Sequence, residues 1–118
     1  MIAKYWRIFF ICAIVAFSYM FTFYMGYVFA VEIFELFCSK QLDYGPNNIS
    51  LGRDMSKEAD KRVALLGLSI RMNDKIQRLI TLIGNNSTPN NESLEDTFRD
   101  LNNYSIMALI VNNDKWGK

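Results

Sequence analysis

Apolar and polar positions divide this chain into two unlike parts. From Ile8 to Val31 there are 24 consecutive uncharged residues, IFFICAIVAFSYMFTFYMGYVFAV. A half-buried helix of a soluble protein keeps one polar face, and this run has none. As a helix it spans roughly 36 Å, enough to cross a hydrocarbon core of about 30 Å. It predicts a transmembrane segment. Further along, the pattern becomes periodic. Leu65, Met72, Ile76, Leu79 and Ile83 recur at helical spacing, with Ser69 in the remaining place of the series and Leu66, Leu68 and Ile80 broadening the stripe. Arg71, Asp74, Lys75 and Arg78 are assigned to the opposite, solvated face. Asp54 or Ser56 suits the N-cap and Gly84-Asn85 the stop, so an amphipathic helix is expected over 56–83. Ser93 and Asp96 resemble a capping box ahead of the stripe Leu94, Phe98 and Leu101, which predicts a second helix over 93–111. The run Ile106–Val111 suits either that helix or a short buried strand. Helix is favoured, because no second strand is present to pair with it.

The predicted fold class is an all-α membrane protein: one N-terminal transmembrane helix, then a small helical extramembrane region with a short strand at 106–111 as the alternative. Residues 1–7 form a basic tail and 8–38 a signal-anchor helix. A turn-rich linker follows at 39–55, carrying Tyr44-Gly45-Pro46-Asn47-Asn48. The helical region covers 56–111, and 112–118 is expected to fray, being polar apart from Trp116.

A cleavable signal peptide is the main competitor, with Val28 and Ala30 at the −3 and −1 places of a cleavage site. The apolar run exceeds the usual 7–15 residues of such a peptide and continues through Ile33, Phe34, Leu36 and Phe37, which favours an uncleaved anchor. Lys4 and Arg7 precede the span, whereas Glu32, Glu35 and a lone Lys40 follow it. The positive-inside rule then places the N-terminus in the cytoplasm and the C-terminal part outside, most naturally at a bacterial inner membrane.

Within the span, Ser18, Thr22, Gly26 and Ala30 recur every four residues between bulky aromatics. Small residues let helices approach closely in lipid, so this stripe is the candidate packing face for a homodimer or a membrane partner. Two helices in 80 residues bury little, and the wide stripe of 56–83 therefore points to a partner for Leu65, Met72, Ile76, Leu79 and Ile83. The bilayer surface is the second choice, given the basic residues along that helix.

Composition narrows the chemistry. Residues 1–38 hold 31 of the 60 residues in the apolar class and 13 of the 17 aromatics, so the 51% hydrophobic content describes no single globular unit. Histidine is absent, which removes Ser/His and Cys/His dyads and His metal sites. The six glycines form no phosphate-binding loop, and a net charge of +1 gives no reason to expect nucleic acid. Cys12 and Cys38 lie too far apart on one helix to pair. Glu92, Glu95, Asp96 and Asp100 read as a solvated helix N-terminus. Asn48, Asn85, Asn86, Asn91 and Asn103 head Asn-x-Ser/Thr sequons, relevant only in a eukaryotic secretory setting.

The expected function is a non-enzymatic, single-pass interaction or regulatory subunit of a membrane or envelope complex. It would have lipid and a membrane protein as partners, and no cofactor, metal, nucleic acid or small-molecule substrate. In layout alone it is similar to small bitopic envelope proteins, cell-division accessory proteins among them. The alternative is a holin-like or immunity factor that oligomerises in the bilayer.

Overall fold

The computed structural model describes residues 2–117, with side chains from residue 5 onward. It has four helices: α1 (Ile2–Tyr44), α2 (Asn47–Ser50), α3 (Glu58–Gly84) and α4 (Leu94–Asn112). No strand occurs among the described residues, and 106–111 are helical. The chain divides into two compact units, Met1–Glu35 and Leu36–Lys118.

The first unit is the greater part of α1. Between Tyr5 and Tyr44 the helix contains a stretch long and apolar enough to cross a membrane, and none of that stretch is buried. Large apolar side chains such as Phe17 (73% exposed) and Phe23 (76%) stand open all round it. Soluble monomers seldom expose an apolar surface of this extent. Thr22 Oγ1 donates to Ser18 O at 3.0 Å, the usual way a helix satisfies an interior hydroxyl.

The second unit is a helical hairpin, α3 against α4, with α2 on α3. Cross-links show that the hairpin is antiparallel. Lys61 near the start of α3 pairs with Asp114 beyond the end of α4 at 3.0 Å, while Arg78 near the end of α3 donates to Thr97 in the first turn of α4. Ile49, Ala64, Leu68, Met107, Val111 and Trp116 form the core, with Phe37, Met55 and Tyr104 against it.

Local chemistry explains the boundaries. Ser93 caps α4 with a complete capping box: its hydroxyl accepts from Asp96 N at 3.0 Å, and its own N–H donates to Asp96 Oδ2 at 3.3 Å. The Ser93 hydroxyl bond also holds the Asp96 carboxyl below its ordinary range. Both long helices of this unit end in the same motif. Asn86 (φ 48°) and Asp114 (φ 57°) take the left-handed conformation. Behind α3, Ser87 N donates to Leu82 O and Asn86 N to Ile83 O; behind α4, Lys115 N donates to Ile110 O and Asp114 N to Val111 O. These are Schellman bonds, which satisfy carbonyls left open at a helix end.

Three expectations change. Helix α1 runs through residues 39–44, which the turn-forming composition had assigned to the linker. Neither Asp54 nor Ser56 caps α3, whose N-cap is Lys57 without a side-chain bond. Instead Asp54 Oδ1 accepts from Ser56 N and Oγ at 3.0 and 2.6 Å in the preceding turn. Trp116 does not fray. It is 7% exposed, and its indole Nε1 donates to Pro46 O at 2.9 Å, which resolves the polar end of a ring the core would otherwise exclude.

Candidate functional site

The polar centre of the second unit begins with spacing. On α3, Arg71, Lys75 and Arg78 recur at i, i+4 and i+7, one helical face. Glu92 stands just ahead of α4, and Thr97, Asp100 and Asn103 follow along that helix. Lys40, in the last turns of α1, adds a further cation. The two lysine heads meet carboxylates, whereas Arg78 meets a hydroxyl and a carbonyl and Arg71 an amide. Lys40 Nζ pairs with Asp100 Oδ1 at 2.5 Å, and Lys75 Nζ pairs with Asp100 Oδ2 at 2.8 Å. Lys75 Nζ also reaches both oxygens of Glu92 at 2.8 Å. Arg78 donates to the Glu92 carbonyl oxygen and to the fully buried Thr97, whose hydroxyl donates to Ser93 O at 3.1 Å.

Protonation is settled by these pairs. Burial pushes the Asp100 carboxyl up, but hydrogen bonds from Lys40 and Lys75 outweigh it and hold the group below its usual range. Burial likewise pulls Lys75 down, and Asp100 with Glu92 overcomes it, leaving the ammonium above its ordinary value. Asp100 and Lys75 are therefore both charged at neutral pH.

Beside this network lies a cavity of about 290 Å³. Lys40, Tyr44, Asn48 and Arg71 form one part of its wall. Asp100, Asn103, Tyr104 and Met107 of α4 form the rest. Asn103 is 1% exposed, and neither its Oδ1 nor its Nδ2 has a partner. Buried amides are nearly always satisfied, so an open donor and an open acceptor side by side are exceptional. Arg71 is half-buried and, among the described residues, hydrogen-bonds to Asn48, through contacts of 3.5 and 3.4 Å at the limit of hydrogen bonding. No carboxylate pairs with it among the described residues.

Residues 40–111 match the family described as nucleotide modification associated domain 1. The chain belongs to this family. The family region begins at Lys40 and takes in every residue of the cavity wall, whereas the apolar run Ile8–Val31 lies outside it. No curated protein and no solved structure matches the chain.

The residues singled out from sequence fall elsewhere. Ser18, Thr22, Gly26 and Ala30 are exposed on α1, and the space around Gly26 is open, with nothing within 4 Å of where a Cβ would lie. On α3, Leu79 is buried, Leu65 and Met72 are half-buried, and Ile76 and Ile83 are exposed. The buried face runs through Ala64, Leu68 and Leu79. Arg71, Lys75 and Arg78, assigned to solvent, are half-buried, Lys75 and Arg78 against Glu92, Thr97 and Asp100 and Arg71 against Asn48. Cys12 and Cys38 are both free. Asn103, the head of one sequon, is closed to any glycan by its burial.

A signal for the site was present in the sequence. Lys75 on α3 and Asp100 on α4 carry opposite charges on consecutive helices, with Glu92 just ahead of the second. Such residues can pair across an antiparallel hairpin rather than face water.

Proposed function

We propose that this chain is a non-enzymatic, single-pass membrane protein in which α1 anchors a regulatory or interaction subunit serving nucleotide modification. The observation that carries this is the joining of two parts: a long apolar helical stretch with none of it buried, and a family domain over residues 40–111. An exposed stretch of this kind needs a covering, and a bilayer supplies one along its whole length. Tyr5 and Trp6 at its start suit an interfacial aromatic belt.

A binding role is favoured over catalysis by the state of the carboxylates. Asp100 is engaged by Lys40 and Lys75, and Glu92 by Lys75, so neither is a free base beside the cavity. The stripe Ser18, Thr22, Gly26 and Ala30 is the proposed face for a membrane partner or a second copy. Ile76 and Ile83, joined by Ile80 (59% exposed), are the outer positions that remain open to a protein partner.

Lys4 and Arg7 ahead of the span support an orientation with the N-terminus inside, at a bacterial inner membrane, and the family domain outside. Alkaline phosphatase fused after Lys118 is expected to be active in cells. An inactive fusion, with a cytoplasmic reporter active at the same position, would reverse the orientation.

A further inference from the structure

We propose that α3 pairs with α3 of a second copy of this chain, parallel and in register, along the seam 63-66-70-73-77-80. This pairing rests on the reading of the chain as an interaction subunit and gives its open outer face a partner. It does not depend on whether α1 crosses a membrane.

The seam is a division by sevens. From Arg62 to Gly84 the positions of α3 separate without exception into two sides. Positions 63, 66, 70, 73, 77, 80 and 84 step by three and four, and they and the positions that flank them are exposed. The other positions, from Ala64 to Leu82, are buried or half-buried. The two sides are chemically inverted. The inward side carries Arg71, Lys75 and Arg78. The outward side carries Val63, Leu66, Ile70, Ile76, Ile80 and Ile83, each 43–61% exposed, and beyond Arg62 a single charge, Asp74. A helix face meant for water is polar and charged rather than apolar. Apolar residues at three-four spacing on an open face form the pattern of a two-helix seam. Val63 and Ile70 in the first place of each seven, with Leu66 in the fourth, favour two strands.

Asn73 and Gln77 decide the occupant. A bilayer would take these two amides into its apolar side without partners. In a parallel, in-register pair each residue meets its own copy, so amide faces amide and donor meets acceptor. Polar layers inside such a seam fix its register at a cost in stability. An antiparallel pair that matched Asn73 to Gln77 would set Leu66 against Gly84 and Val63 against residue 87, past the end of α3. Asp74 flanks the seam on opposite sides in the two copies, so like charges do not meet. Gly67 flanks it too, with nothing within 4 Å of where a Cβ would lie, and lets a second backbone come close. The six apolar residues leave on the order of 500 Å² open per copy, so a pair buries about 1,000 Å², the threshold of a specific interface. With that area and two amide layers the pair dissociates on dilution, and melts of dilute protein report the single unit.

The test uses the full chain in isolated cell membranes, in a Cys12→Ala, Cys38→Ala background, oxidised with copper phenanthroline. Leu66→Cys and Ile80→Cys, made one at a time, are each expected to give a disulfide-linked homodimer on non-reducing gels. Each yield should exceed that of Glu95→Cys, an exposed control on α4, by about tenfold. Gln77→Glu sets two carboxylates face to face at an exposed position and should lower both yields about tenfold. Circular dichroism verifies folding, and Gln77→Lys decides if Gln77→Glu does not fold. Yields no higher than the control would overturn the proposal. Yields unchanged by the charge at position 77 would overturn it and assign the association to another surface. A disulfide between Ile70→Cys and Ile80→Cys chains, without the 66–66 and 80–80 products, would overturn it in favour of an antiparallel pair. Benzophenone maleimide on Leu66→Cys separates the two claims. An adduct with another protein in place of the homodimer would overturn the second copy alone, and no adduct would overturn the interaction reading with it.

Discussion

Leu68→Ala should lower the stability of the second unit by about 3 kcal/mol, the usual cost of emptying a fully buried leucine site. Leu68 is 1% exposed on α3 and belongs to the cluster with Ala64, Met107, Val111 and Trp116. Its loss removes transfer energy and opens a cavity that two short helices cannot readily collapse around. For a unit of this size each kcal/mol moves the midpoint by about 4–8 °C, so a fall of more than 10 °C is expected in thermal melts followed at 222 nm. Leu66→Ala is the matched control. Leu66 is 61% exposed, and its truncation should stay within about 0.5 kcal/mol. Equal effects at the two positions would contradict the register of α3.

Asp100→Ala should destabilise the same unit by about 2 kcal/mol, because it leaves the Lys75 and Lys40 ammoniums without the carboxylate they share. The cost stays below that of a fully buried pair, since Lys40 reaches solvent and Lys75 keeps Glu92. The pH dependence identifies the cause. Asp100 is held below its ordinary range in the folded chain, so its contribution is present at neutral pH. That contribution is lost as pH falls through the ordinary carboxylate value, near 4, towards the folded one. Wild type should therefore lose stability below about pH 5 more steeply than Asp100→Ala. Parallel acid profiles for the two proteins would show that Asp100 is not the group responsible.

How far the fold was legible depends on which residues do the packing. The capping box at Ser93 and Asp96 is a local device, and it formed as the spacing indicated. Helix α3 was also legible as a helix, but its buried face was not. The apolar series 65, 72, 76, 79 and 83 describes a stripe on which Ile76 and Ile83 remain exposed. The actual interface interleaves Ala64, Leu68 and Leu79 with Arg71, Lys75 and Arg78. A pattern of apolar residues cannot register cations whose heads are received within the fold. The same blind spot hid the cavity, whose wall residue Asn103 reads in sequence as one of 11 asparagines. Trp116 was misplaced for a different reason. Its polar neighbours suggested a frayed tail, but the Schellman turn at Asp114 returns the chain to Pro46.

The central claim is that α1 holds the family domain to a membrane, and alkaline carbonate extraction of cell membranes carrying the full chain tests it most directly. The protein is expected to remain in the membrane pellet with integral proteins. Release into the carbonate supernatant, with the chain intact by mass, would contradict the account.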